Sequence, residues 1–145
     1  MSTDVYECRR SDSKWYYELH VSTSKKVMHD HLQEFFTDLG GTPHSDETLG
    51  LVHPMARQFY DGKDWQDVGI VAVVFLNEEH LTYEIIAHEA FHAAMCFERY
   101  ANGHERPTYG EGCDEDEERV AYLVGEITGA IHATLFDGHH VGGCR

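Results

Sequence analysis

Two histidines and a glutamate are spaced in a way that can hold and use a metal ion. His88 and His92 are four residues apart in the segment HEAFH, and Glu89 directly follows the first histidine. Because an α-helix turns about 100° per residue, the two imidazoles would lie one turn apart on one face, close enough to bind one ion. Glu89 would lie beside them, off the line of the ligands and able to accept a proton.

This spacing suits the activation of water by zinc. Two neutral imidazoles bind Zn²⁺ without cancelling its charge, so the pKa of a bound water falls from about 15.7 toward about 7. The residues around the motif are apolar almost all round, which predicts a buried helix over residues 82–100. Histidines in such a helix need partners, and a metal supplies them. The alternative is a pair of core histidines satisfied by ordinary hydrogen bonds.

A third ligand is expected on a second helix, predicted over residues 116–136. Glu118 shares one side of its helical wheel with three small residues and one histidine, which are Ala121, Gly125, Gly129 and His132. Small residues allow two helices to approach closely, so Glu118 would reach an ion held by the first helix. The alternative is that the two glycines only weaken a surface helix, by about 1 kcal/mol each relative to alanine.

The segments HEAFH and EERVAY together resemble the gluzincin branch of the zincin metallopeptidases, which carry HExxH on one helix and a glutamate, often in ExxA, on a later one. The resemblance covers about residues 69–136. In this region the chain is similar to the small zincin-like peptidases of phages and bacteria. It implies that His88, His92 and Glu118 bind Zn²⁺ and that Glu89 is the catalytic base.

Two parts of this expected site stay open. The acidic run before the second helix offers Glu117 or Asp114 in place of Glu118 as the third ligand. A peptidase also needs a donor for the developing oxyanion, often a tyrosine or histidine. The candidates are His104, Tyr109 and Tyr122, and for each of them a plain loop or packing role is the alternative.

The segment that precedes the motif predicts a strand more strongly than residues 42–69 do. Residues 69–76 form a nearly continuous β-branched run, which predicts a buried or half-buried strand, and Thr82 is the expected N-cap of the following helix. The resemblance to zincins implies that an edge of this sheet receives an extended peptide backbone. His80 and Glu84 are expected at the rim of the site and not as ligands, because this helix already supplies two ligands to the ion.

The remaining elements are predicted from shorter patterns. Residues 15–21 read as a strand, and a helix with an apolar face follows it from the Ser-Thr-Ser segment at 22–24 to the glycines at 40 and 41. Short strands are predicted over residues 49–53 and 55–60, followed by a polar turn. His29 and His31 are two residues apart, which separates them on a helix, so both are expected to be surface or packing residues.

Length and charge indicate a single α+β domain, residues 1–145, in which a small twisted sheet packs against the HExxH helix and the Glu-bearing helix, with a loose tail from residue 136. The 26 acidic and 11 basic residues give a net charge of −15. This charge argues against nucleic-acid and anionic-membrane partners, since phosphate binding needs clustered Lys and Arg. The expected partner is a peptide or protein substrate that is neutral or basic.

A cytoplasmic location is expected, because the first 20 residues lack the apolar segment of a signal peptide and no segment approaches the roughly 18 apolar residues of a transmembrane helix. Four cysteines without a CxxC pair give no zinc-knuckle or redox motif, and no disulfide framework is expected in such a compartment. They are Cys8, Cys96, Cys113 and Cys144, of which Cys96 is expected in the core.

The sequence therefore predicts a zinc-dependent metallopeptidase in which Glu89 activates a zinc-bound water. One alternative is a non-catalytic, zinc-stabilised acidic binding module, such as a phage-encoded inhibitor that imitates nucleic-acid charge. The other alternative has no metal and only a structural histidine pair.

Overall fold

The computed structural model describes most of the chain, namely residues 2–10, 13–40, 45–55, 57–101 and 114–137, without the side chains of residues 114–116 and 137. Helices and a small mixed sheet are both present, which confirms the predicted α+β class. In chain order the elements are β1 (Thr3–Arg9), β2 (Tyr16–Ser22), α1 (Lys25–Asp38), β3 (Leu51–Pro54), β4 (Gln58–Tyr60), β5 (Trp65–Asp67), β6 (Ile70–Asn77), a 3-10 turn (Glu78–His80), α2 (Tyr83–Tyr100), α3 (Asp114–His132) and a π-helical turn (Ala133–Asp137).

The main sheet has the strand order β1-β2-β6-β3. β2 and β6 are parallel, whereas β1 and β3 pair antiparallel to their neighbours at the two edges. α1 lies in the connection between the two parallel strands, as a parallel crossover requires. All eight residues of β6 are buried, because helices cover both faces of the sheet at its centre. This agrees with the continuous apolar run in the sequence.

The core lies on the two sides of this sheet. On one side, α2 and α3 pack against Leu19, Val74 and Leu76. On the other side, Met28 and Leu32 of α1 pack against alternate strand residues that include Val73 and Phe75. The two-residue alternation of a strand therefore divides β6 between both layers of the core.

Capping side chains fix where the first two helices begin. The hydroxyl of Ser24 accepts a hydrogen bond from the backbone N–H of Val27, and the hydroxyl of Thr82 accepts one from the N–H of Ile85. Both helices begin where the sequence predicts, since such caps satisfy N–H groups that have no partner within the helix. Each cap therefore sets the position of its helix relative to the preceding strand.

The face of α3 that packs against the core is not the one predicted from its small residues. Large apolar side chains, including Leu123, Ile127 and Ile131, form the contact. Gly125 and Gly129 are exposed, and a Cβ atom added to either would meet no other atom within 4 Å. The prediction that these glycines allow close packing of the two helices is therefore wrong.

Two shorter elements also differ from the sequence prediction. β1, with the sequence TDVYECR, was not predicted as a strand, and Trp65–Asp67 forms a strand where only a polar turn is expected. Trp65 pairs with Tyr60 in a hairpin whose six strand residues are all exposed. This hairpin is a separate two-stranded sheet beside the main one.

Cys8 is buried and disulfide-bonded, a bond that the sequence, from which no disulfide framework is expected, did not predict. The other cysteine in the described part of the chain, Cys96, is a free and buried thiol. Burial raises the pKa of Cys96 to about 11, in agreement with its predicted place in the core. Among the described residues, no helix has the length and apolar character needed to cross a membrane.

Candidate metal and catalytic site

The two motif histidines lie side by side on the open face of α2. The Nε2 atoms of His88 and His92 are 3.2 Å apart, and both side chains are exposed. Ala87 and Phe91 beside them are exposed as well, so the prediction of a helix buried all round is wrong on this face. The alternative of two core histidines is wrong for the same reason.

The separation of the two nitrogens fits a shared zinc ion. At Zn–N distances of about 2.0–2.1 Å, two ligands of a tetrahedral site lie about 3.3–3.4 Å apart, and the imidazole nitrogens of His88 and His92 are 3.2 Å apart. The rings are inclined at 73° and bring their Nε2 atoms together. Two neutral imidazoles could converge in this way on one cation, whereas without it one Nε2 must carry a hydrogen for the other to accept.

Glu89 is placed beside this pair but out of solvent. Its side chain is only 7% exposed, and its Oε1 lies 4.0 Å from Nε2 of His88. Burial raises the pKa of the Glu89 carboxyl, and His88 opposes this rise. Burial also lowers the pKa of His92, which favours the neutral form that binds metals. The carboxyl of Glu89 therefore lies near the Nε2 atom of His88.

The backbone at Gly50 holds Glu89 in place from the opposite side. A Cβ atom added to Gly50 would lie 3.2 Å from Cγ and 3.3 Å from Oε1 of Glu89, closer than most real Cβ contacts. It would also lie 3.3 Å from a methyl carbon of Ile85. The absence of a side chain at residue 50 therefore allows the segment before β3 to approach the carboxyl closely.

Two clefts lie between α2 and the segment 49–54, one on each side of the histidines. The first has a volume of about 360 Å³ and is lined by Leu49, Gly50, Glu84, Ile85, His88 and Glu89. The second has a volume of about 200 Å³ and is lined by Val52, Pro54, His92, Met95, Cys96 and Arg99. We refer to the two clefts together as the β3–α2 groove. Glu84 lies in it, as expected of a rim residue.

One wall of the groove is an open sheet edge. β3 pairs with β6 on one side only, and no described strand pairs with its other side. Val52 and Pro54 line the groove, whereas His53 points to the opposite face and contacts Phe35. Backbone groups on the free side of such a strand can pair with an extended peptide.

The third predicted ligand does not join the histidines in the described part of the chain. There, no three His, Cys, Asp or Glu side chains lie close enough together to hold a metal ion. Glu118 is exposed on α3, and Glu117 is half-buried. The side chain of Asp114 is not among those described. The identity of the third ligand stays a prediction.

The candidates for an oxyanion donor are similarly divided. Tyr122 lies on α3 and is 75% exposed. His104 and Tyr109 fall within residues 102–113, outside the described part of the chain. None of these roles is tested by the positions of the described residues, so all three stay predictions.

Three features in and around the site were missed from the sequence. Glu98 of α2 is completely buried and binds Arg119 of α3, and the signal was a glutamate at the end of an apolar helix. The close approach of Gly50 to Glu89 had no signal, since it joins residues 39 positions apart. Arg99 in the second cleft was also not singled out.

No protein-family model, curated protein or solved structure matches this chain. The resemblance to zincins therefore depends on the HEAFH and EERVAY segments alone and stays a prediction.

Proposed function

We propose that this chain is a zinc-dependent metallopeptidase whose catalytic groups lie on the open face of α2. The observation that supports it best is the 3.2 Å separation of the His88 and His92 Nε2 atoms, which matches two ligands of one tetrahedral zinc ion. Glu89, which lies next to them without being placed as a ligand, supports a hydrolytic use of that ion.

His88 and His92 would hold the zinc ion together with a third ligand, for which the sequence offers Glu118, with Glu117 or Asp114 as alternatives. When bound, zinc lowers the pKa of water and polarises a carbonyl oxygen. The chain itself supplies the groups that bind the peptide and move the proton.

Glu89 would act as general base and then as general acid. Its Oε1 would accept the proton of the attacking water and return it to the nitrogen of the leaving amine. The carboxyl is mostly buried, and the backbone at Gly50 approaches it closely. The free edge of β3 would bind the substrate as an extended strand along the groove.

Zinc content and hydrolysis of an unfolded protein substrate test this function. Glu89→Gln should keep stoichiometric zinc and lose at least a hundredfold in kcat, because a general base contributes about 10²–10⁴. His92→Ala should lose both zinc and activity. Glu78→Gln, in the exposed 3-10 turn, is the matched control and should retain both. Retained hydrolysis in Glu89→Gln, or no zinc in the purified wild type, would exclude the proposal.

The net charge of −15 favours a second candidate, a non-catalytic acidic binding module stabilised by zinc. In that case Glu89→Gln would bind zinc and its partner as well as the wild type does. We expect the partner of either form to be a peptide or protein, since the charge disfavours nucleic acid and anionic membranes.

The cytoplasmic location predicted from the sequence stays a proposal, and one observation opposes it. The disulfide at Cys8 is of a kind that persists in oxidising compartments and is rare in the cytosol. The redox state of Cys8 in cells therefore decides between the cytosol and an oxidising compartment.

A further inference from the structure

The open face of α2 carries opposite charges at its two ends. Glu84, His88, His92, Met95 and Arg99 follow one another at intervals of three or four residues, so they form one stripe along the helix. Glu84 lines the first cleft and Arg99 lines the second. Both charged side chains are exposed, and the histidine pair lies between them.

The length of this stripe matches a short extended peptide. Glu84 and Arg99 are 15 residues apart, which is about 22 Å along a helix. An extended chain covers that distance in about six or seven residues. Between His92 and Arg99 the groove is lined by the apolar residues Val52, Pro54 and Met95. The charged side chains of Glu84 and Arg99 therefore stand at the two ends of the groove.

We propose that the β3–α2 groove selects extended peptides by their charge polarity, binding a basic side chain at the Glu84 end and an acidic side chain at the Arg99 end. This inference rests on the proposed function, because it assigns the substrate class of the same site. It also refines the expectation from net charge, since Arg99 supplies a local site for an acidic side chain on an otherwise acidic protein.

The direction of β3 sets the direction of the peptide. β3 runs from Leu51, next to the first cleft, to Pro54 in the second. Antiparallel pairing is the more stable and more frequent kind, so the peptide would run from the Arg99 end to the Glu84 end. The acidic residue would therefore precede the cleaved bond, and the basic residue would follow it.

The helix rise also gives approximate positions. The middle of the histidine pair lies about 9 Å along the axis from Glu84 and about 13 Å from Arg99. These distances correspond to about three residues after the cleaved bond for the basic side chain and about four residues before it for the acidic one.

Two quenched fluorescent peptides of identical composition and reversed charge order test the proposal. The wild type should cleave the peptide with the acidic residue first with a kcat/KM about threefold to tenfold higher, the range expected for two exposed ion pairs. The double variant Glu84→Lys with Arg99→Glu should invert this preference. Rising salt should reduce it in both proteins, because exposed charges are screened.

The double variant Asp38→Lys with Lys63→Glu is the matched control. It makes the same change of charge at exposed positions on α1 and the β4–β5 turn that do not line the groove, and should keep the wild-type preference. Equal rates for both peptides, or a preference unchanged in the groove variant, would overturn the proposal. A wild-type preference for the reversed peptide would overturn the antiparallel direction.

Binding separates this proposal from the peptidase proposal. Fluorescence anisotropy with Glu89→Gln protein measures the affinity for each of the two peptides, and so the preference for charge order, without any cleavage. Polarity in binding without hydrolysis by the wild type would support the groove and reject the peptidase. Hydrolysis of both peptides at equal rates would do the reverse, and no binding of either peptide would overturn the groove.

Discussion

Arg119 donates two hydrogen bonds to the buried carboxylate of Glu98, from Nε at 2.7 Å and from Nη2 at 2.8 Å. The pair joins α2 to α3 at the end of the helix that carries the candidate site. A charge removed completely from water needs such a partner, and the planar guanidinium matches both carboxylate oxygens.

Loss of Arg119 should destabilise the protein far more than loss of the whole pair. Arg119→Met removes the guanidinium that neutralises a buried carboxylate and should lower the free energy of unfolding by about 3–5 kcal/mol. The double variant with Glu98→Met should recover most of that loss, since a well-packed apolar pair can replace a buried ion pair. Urea denaturation measures both. Equal losses in the single and double variants would contradict this account.

Gly50→Ala should reduce hydrolysis without unfolding the protein. The added methyl group would press on Cγ and Oε1 of Glu89 and shift the carboxyl by a few tenths of an ångström. Because small displacements of a catalytic group are costly, we expect a loss of about tenfold or more in kcat. Steady-state kinetics measures it, with zinc content unchanged.

Gly125→Ala is the control for this substitution. Its methyl group would enter open space on an exposed face of α3, so activity should stay unchanged. Stability should rise by up to about 1 kcal/mol, the difference in helix propensity. A loss of stability in Gly125→Ala would support close packing of the two helices at Gly125, which the structure contradicts.

His31 should make the protein less stable in mild acid. Its Nε2 lies 2.7 Å from Nδ1 of His20, whose other nitrogen lies 3.0 Å from a carboxylate oxygen of Glu18. Burial, and then the charge of His20, lower the pKa of His31 below 6.5. The unfolded chain therefore binds more protons than the folded one, and stability should fall as the pH drops below about 6.5.

Thermal unfolding between pH 7 and pH 5 measures this contribution. His31→Gln should lose less stability over that interval than the wild type does, even if its Tm at pH 7 is lower. Gln33→Ala, which removes no titratable group from α1, should keep the wild-type pH dependence. Equal pH dependence in His31→Gln and the wild type would reject the assignment.

The cysteines should divide into thiols that react only after unfolding and those that need reduction. In the native protein Cys96 should resist alkylation, because burial raises its pKa to about 11 and the thiolate is the reactive form. In urea without reductant, Cys8 should still be protected by its disulfide. Mass spectrometry of the labelled peptides measures both, and labelling of Cys8 under those conditions would contradict the bond.

The disulfide also predicts a stability difference. Cys8→Ser should lower the free energy of unfolding by about 2–5 kcal/mol, as for other native disulfides in small domains. An unchanged Tm would show that the bond does not constrain the chain.

Local signals explain which elements the sequence predicted well. The β-branched run of β6 and the caps Ser24 and Thr82 act within a few residues, so their structures follow from neighbours in the chain. The i, i+4 placement of His88 and His92 is equally local, and it is confirmed.

The features that were missed depend on partners distant in sequence. β1 has a mixed polar sequence and is held by its pairing with β2, which no local pattern reveals. On α3 the stripe of small residues and the face with Leu123 and Ile127 were both available for packing, and burial of the larger side chains decides between them. The clamp between Glu98 and Arg119 likewise exists only once two helices meet.

An unpaired strand at the margin of a sheet invites another copy of the protein to add to it and start aggregation. β3 limits this hazard because it is only four residues long and ends in Pro54, which has no N–H to donate. The same brevity means that main-chain pairing can hold only a few residues of a visiting chain, so most of the discrimination between sequences must come from side chains on α2.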